Sequence, residues 1–240
     1  LVKSRSITPN DSYYGQQWAP AVMDLPNAWG KFDTGGVSAD GDDIVIAIID
    51  GGFDLTHQDL KFWKNTNEIP NNGIDDDNNG YIDDYDGWNA YNSTGNIPSS
   101  DHGTHVSGIA GAKGNNGLGI SGVNWDVNIL PIAGSSTNEA TVVEAYSYIL
   151  EMRALYNDTN GQSGAFIVAS NASFGVDYGD PDNFPIWCSI YNALGDEGVL
   201  NCAATANLNI NVDSQGDVPT ACSSNFLIGI TNTNSSDSKV

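Results

Sequence analysis

Six consecutive apolar residues, Ile44 to Ile49 (IVIAII), run without a polar interruption into Asp50, Gly51 and Gly52. A strand with one wet face alternates apolar and polar side chains. An unbroken run rich in β-branched residues instead marks a strand buried on both faces, and that requires a parallel sheet covered by helices. Asp50 then stands at the carboxyl end of a central strand, where open α/β sheets bind their ligands. The rest of the chain supplies the other layers. Strands are expected at Val127–Ile132, with Pro131 at its end, and at Phe166–Ser173, Val199–Ala204 and Asn225–Thr231. Between them, Ser136 and Glu139 suit a capping box for a helix reaching about Tyr156, and Ile186 to Leu194 suits a second helix. The reading is a doubly wound, mostly parallel α/β sheet with helices on both faces, in three layers. Residues 1–30 read as an extended arm with a short helix from Pro26 to Lys31, and 240 residues that are 40% hydrophobic suit one core.

Charge narrows the function classes. Eight Lys and Arg face 30 Asp and Glu, for a net charge of −22. Such a chain repels phosphate backbones, which argues against nucleic-acid binding, and suits a cation-binding protein that is secreted or at the cell surface. No apolar run approaches the roughly 20 residues of a membrane span. Leu1 is not an initiator Met and no signal peptide precedes it, so a processed or cut N-terminus is expected. Of Cys188, Cys202 and Cys222 at least one lacks a partner within the chain; one disulfide plus a thiol and three buried thiols are both open, and Cys202 with Cys222 is the favoured pair.

The acidity concentrates in residues 65–86, where six Asp accompany many Asn and Gly without hydrophobic period. Counting from Asp75, oxygen donors fall at loop positions 1 (Asp75), 3 (Asp77), 5 (Asn79), 7 (Tyr81, through its carbonyl), 9 (Asp83) and 12 (Asp86), with Gly80 at position 6. Hard oxygen ligands at those intervals around a glycine turn are what a Ca²⁺ loop of the EF-hand type requires, with Asp in place of Glu at position 12.

Two histidines share Asp101–Gly111 (DHGTHVSGIAG), a run of small residues suited to a closely packed helix. A carboxylate ending a strand, an imidazole starting a helix and an asparagine after a later strand supply most of an acyl-transfer site, lacking only a nucleophile. His105 and His57 are expected to be structural, and the His-Gly-Thr-His spacing does not suit a helical zinc site.

These motifs resemble those of the subtilisin-like serine proteases, the subtilases, over nearly the whole chain. IVIAIIDGGFDLTHQDL is similar to the aspartate motif, which implies that Asp50 orients the base. DHGTHVSGIAG is similar to the histidine motif, which implies His102 as general base. VASNASFG resembles the substrate-binding strand, so that Ser173, Phe174 and Gly175 would pair with an extended polypeptide substrate. GVLNCAATAN resembles the strand leading to the oxyanion asparagine, Asn207. The resemblance further implies a calcium site joining arm to core, with Asp11, Asp59 and Asn116 as ligands. Two positions depart from the pattern: Gly51 stands where Ser or Thr is usual, removing a hydroxyl that could steady the carboxylate, and Ala206 stands where Gly is usual. The 33 residues after Asn207 contain no GTSMA-like nucleophile segment. Residues 1–240 are therefore expected to be one partial, C-terminally incomplete peptidase domain, inactive by itself, of a secreted calcium-stabilised endopeptidase. The competing reading is a non-catalytic calcium-binding adhesion or recognition module on the same scaffold, motivated by the absent serine and the acidic loop.

Overall fold

The computed structural model describes residues 6–31 and 34–239. Its strands are β1 (Val45–Asp50), β2 (Trp88–Asn89), β3 (Asn128–Ala133), β4 (Ile167–Ala172), β5 (Val176–Asp177), β6 (Leu200–Ala204), β7 (Asp217–Val218) and β8 (Leu227–Ile230). Its α-helices are α1 (Ala19–Val22), α2 (Leu25–Trp29), α3 (Asp101–Gly111), α4 (Glu139–Thr159), α5 (Pro185–Asp196) and α6 (Val212–Gln215). One sheet has the order β2-β3-β1-β4-β6-β8 with every pairing parallel, and β5 with β7 forms a separate antiparallel ribbon. The apolar run of β1 occupies the middle of the sheet, where Ala47, Ile48 and Ile49 are fully buried. From β1 the chain leaves to one side for β3 and returns to the other for β4. That reversal opens a crevice at the carboxyl end of β1, where Asp50 lies.

Strand alternation assigns the two faces. The register Ala47↔Ser170 and Ser170↔Asn201 runs along the face that packs α4 and α5, in one cluster with Tyr146, Ile149, Trp187 and Leu194. Ile48, Asn171, Cys202 and Ile228 form the next row and point the other way. There α3 lies against β1 and β3, with Val106 and Ala110 against Ile48 and Ile129. The three expected layers are present, although Leu200, Ile228 and Ile230 remain exposed on the α3 side.

Three local expectations are corrected. Asn138, rather than Ser136, caps α4 by accepting from the Ala140 N–H, and the Glu139 carboxylate instead accepts from Ile186 and Trp187 N–H at the start of α5. One helix start thus caps the next. Pro131 lies inside β3 rather than at its end. The N–H of Ile129 points away from β1 to the Lys61 carbonyl, so alternation turns position 131 the same way, and β2 begins only opposite Ile132. No ladder bond is lost. Cys188 of α5 is bonded to Cys222, with Cα atoms 5.1 Å apart, and Cys202 is free. Cys202 points to the α3 side of β6, whereas the other two cysteines join the cluster around α5.

Residues 1–5 of the expected arm lie outside the described residues. The remainder is a chain of short turns and helices, held by Trp29, whose indole N–H donates to the Val123 carbonyl and whose ring lies 4.8 Å from that of Trp125. The disulfide closes a sequence separation of 34 residues. Cys222→Ser should lower unfolding stability by about 3–4 kcal/mol, as should reductant in the parent, and Cys202→Ser should cost about 1 kcal/mol or less. Thiol titration of the unreduced, unfolded chain should count only Cys202; a second reactive thiol would contradict the pairing.

Candidate active site

A carboxylate ending a buried strand must find donors or remain costly. Asp50 is 3% exposed, and its Oδ1 accepts the Gly51 N–H at 2.7 Å. The other partner is His102 Nδ1, 2.9 Å from Oδ1 and 2.8 Å from Oδ2. Since a carboxylate only accepts, Nδ1 carries a proton, and in the neutral imidazole Nε2 is then the acceptor. The His102 side chain is 62% exposed, so the ring is open to solvent.

This contact depends on small residues. Gly103 packs on the strand end so closely that a Cβ there would lie 2.2 Å from the Gly52 carbonyl oxygen and 2.9 Å from Asp50 Cβ. Gly52 adopts φ +150° and itself abuts the Pro98 carbonyl. Thr104 closes the helix start: its hydroxyl donates to the Ser100 carbonyl and accepts the Asp54 N–H. Asp101 in the first turn adds negative charge where the helix N-terminus favours it.

Ser173, Phe174 and Gly175 leave the end of β4 and line, with Ala206, Asn207 and Asp217, a cleft of about 80 Å³. The segment expected to bind substrate and the expected oxyanion asparagine are thus side by side. Asn171 donates to the Ser173 hydroxyl at 3.0 Å, and Phe174 packs toward Trp187. Gly175 cannot be larger, because a Cβ would meet the Val218 carbonyl at 2.4 Å. Ala206 replaces the usual glycine without strain, since it is not among the residues with positive φ. Sequence reasoning missed Asp217. It is 1% exposed, and burial raises its carboxyl pKa while hydrogen bonds from the Thr220 hydroxyl and the Ala206 amide oppose the rise. It thereby anchors the loop that carries Asn207. An isolated Asp between Gly216 and Val218 gave no signal of this. Among the described residues no serine hydroxyl reaches His102.

The acidic loop is partly corrected. Carboxylate oxygens of Glu68, Asp75 and Asp77 converge within 4.8 Å of one another, a group able to hold a metal ion. Asp75 accepts from the Asn79 and Gly80 amides, and Gly80 takes φ +94°, as a tight metal loop requires. The Tyr81 N–H donates to the Asn79 side chain. Asp83, however, turns to the amides of Asn72 and Gly73, and Asp86 pairs with Lys64, so neither joins the cluster. The third carboxylate of the group is instead Glu68, which lies before the counted loop. Buried Asp84 ties the loop to α4 by accepting from Tyr148, Asn65 and Asn79, and desolvation lifts its carboxyl to about 6 against those bonds.

Asp11, Asp59 and Asn116 also come together. Asp11 accepts from the Asn115 and Asn116 amides and the Ser121 hydroxyl, and Asp59 accepts from the Asn116 side chain at 2.7 Å. His57 Nδ1 faces the Asp59 amide at 3.4 Å, and His105, expected to pack or to hydrogen-bond in support of the site, is exposed. Gly103→Ala should force α3 off β1, costing about 1–3 kcal/mol and releasing His102 from Asp50. A calorimetric midpoint equal to that of the parent would contradict so tight an approach.

Comparison with known proteins agrees with this geometry. The sequence model of the subtilase family (peptidase S8) matches residues 41–239. Subtilisin-like protease 1 of Plasmodium berghei is 45% identical over 120 residues, covering 48% of this chain and 19% of the relative. A halolysin-like extracellular serine protease of Natrialba magadii is 35% identical over 116 residues, covering 48% of this chain and 18% of the relative. The chain thus spans about a fifth of the length of these curated relatives. A protease of Pseudoalteromonas arctica has the same fold, with a TM-score of 0.64 at 20% identity over 95% of this chain and 67% of the other. A central parallel sheet with Asp50 and His102 paired at its carboxyl end, and a family match over most of the length, lead to one conclusion: the chain belongs to the subtilase family.

Proposed function

We propose that these 240 residues form part of the catalytic domain of a secreted serine endopeptidase. The observation that carries this reading is the Asp50–His102 pair, at 2.8–2.9 Å. In the proposed reaction an extended polypeptide pairs with Ser173–Gly175 as an added strand. A serine hydroxyl from sequence outside these residues passes its proton to His102 Nε2 while its oxygen attacks the scissile carbonyl. Asp50 holds the ring and stabilises the imidazolium that results. The carbonyl π electrons move onto oxygen, where the Asn207 amide donates to the oxyanion. Collapse expels the amine, which takes the proton from His102, and water then releases the acyl group by the same steps. Secretion is supported by the disulfide and by the extracellular naming of the Natrialba relative.

With the natural full-length protein and a fluorogenic peptide, His102→Ala should lower kcat by about 10⁴-fold or more. Asn207→Ala should lower it by about 100–1,000-fold, a magnitude established for subtilisin itself and carried over here. The 240-residue chain alone should release no product burst. Hydrolysis that survives His102→Ala would overturn the reading.

The resident metal in this proposal is Ca²⁺. Converging hard carboxylates of Glu68, Asp75 and Asp77, with Asn79 hydrogen-bonded to Asp75 and Asp77, fit it better than a soft metal. When bound, the ion neutralises the cluster and braces the loop; it takes part in no bond-breaking step. Asp11, Asp59 and Asn116 form the second proposed set, joining arm to core. Ca²⁺ at about 100 times its Kd should add about 2.7 kcal/mol of stability, removed by chelator. Asp75→Asn or Glu68→Gln should remove the first set's share of that calcium-dependent shift in Tm, and Asp86→Asn should leave it. A Tm indifferent to Ca²⁺ and chelator would refute both sites.

A further inference from the structure

Ser173, Phe174 and Gly175 run directly into β5, and β5 pairs with β7 so that Asp177 stands opposite Asp217. Residues opposite one another on an antiparallel ribbon point to the same face, and two like charges in that position are unfavourable. Both residues line the cleft of about 80 Å³ that also takes in Ser173–Gly175 and Ala204–Asn207. Asp217 is buried and Asp177 is exposed, and the charge of Asp177 adds to burial in raising the Asp217 carboxyl pKa. The donors that Asp217 has, the Thr220 hydroxyl and the Ala206 amide, are neutral. Among the described residues neither carboxylate is paired with a lysine or arginine.

The position of the cleft decides which substrate residue meets these charges. In the reaction proposed above, Asn207 donates to the carbonyl oxygen under attack, and Ser173–Gly175 hold the backbone that leads to it. The residue bearing that carbonyl is thus fixed through its backbone on both sides, and its side chain falls between the two segments, where the cleft lies. So narrow a cleft suits an unbranched methylene stem better than a ring. Lysine and arginine bury such a stem and carry their charge at its tip.

Resting on the endopeptidase reading, we propose that Asp177 and Asp217 select substrates with lysine or arginine at the residue whose carbonyl is attacked. Asp177 meets the cation from the exposed side of the cleft and Asp217 from the buried side. The cation offsets the repulsion between the two carboxylates, whereas a glutamate would bring a third negative charge, so the pair discriminates by attraction and by repulsion.

The test uses the natural full-length protein and internally quenched peptides that differ only at the residue before the cleaved bond. Lysine and arginine peptides should give kcat/KM at least about tenfold above a methionine peptide, and at least about a hundredfold above a glutamate peptide. An isomer with lysine and methionine exchanged, the lysine now two residues nearer the N-terminus, separates the cleft from diffuse attraction to a chain of net charge −22. It should be cleaved no better than the methionine peptide. Asp217→Asn also loosens the loop of Asn207, but that loss falls on every peptide alike, so the ratio of lysine to methionine kcat/KM is the readout. The ratio should fall at least about tenfold in Asp217→Asn and threefold in Asp177→Asn, which keeps the anchor of that loop, and Asp177→Lys should raise the glutamate peptide at least about tenfold relative to the lysine peptide. A methionine peptide cleaved as well as the lysine one, equal cleavage of the two isomers, or ratios unchanged in the Asp177 variants would each overturn the proposal and leave the endopeptidase reading standing. No His102-dependent cleavage of any peptide would overturn both.

Discussion

The buried carboxylate of Asp50 sets the terms for everything around it. It ends the most apolar strand of the sheet at 3% exposure, where an unpaired charge would cost several kcal/mol. Its donors are the Gly51 amide and the imidazole of His102. Bringing that imidazole within reach requires the first turn of α3 to sit directly on the strand end, and that in turn excludes side chains at Gly52 and Gly103. Part of the histidine motif therefore reflects packing as much as chemistry: glycine lets the helix approach, and the approach makes the carboxylate tolerable.

A second constraint is the shortage of cations. Eight Lys and Arg cannot pair with 30 carboxylates, so the buried acids are held chiefly by backbone amides and neutral side chains. Asp11 and Asp59 take amides and Asn116, Glu68 takes the amides of Asp76, Asp77 and Asp83, and Asp84 takes Tyr148 and two asparagines. Loops that must turn many amides inward need residues able to adopt positive φ, which accounts for Asn78, Gly80, Asp83 and Gly87 there. Even so, the carboxylates of Glu68, Asp75 and Asp77 converge into a group able to hold a metal ion.

The central sheet was legible because burial on both faces leaves an unmistakable run, and β1, β4 and β6 ended within a residue or two of their expected limits. Asp50 was legible because it sits at the carboxyl end of a strand that hydrophobic pattern alone places, whereas the roles expected of His102 at the start of α3, of Asn207 and of Ser173–Gly175 came from the resemblance to subtilase motifs. The errors have a common origin. Glu139 matched a local capping box but was drawn to α5, Asp83 and Asp86 matched a loop count but found Asn72, Gly73 and Lys64, and Cys202 was closer in sequence to Cys222 than Cys188 is. In each case a side chain with more than one available partner was claimed by one distant in sequence or on another face.

Periodicity and residue type by themselves determined the parallel α/β sheet, the position of Asp50 at its carboxyl end, the small-residue helix bearing His102 and the acidity that favours cations. These follow from burial and backbone sterics, which act locally and leave marks on every residue of an element. Only the tertiary structure decided which carboxylates converge, which cysteine stays free, and that Asp217 anchors the loop of Asn207 and lines one cleft with Asp177. Those outcomes depend on which faces meet in space, and a side chain's partner across the fold leaves no mark on its neighbours in sequence.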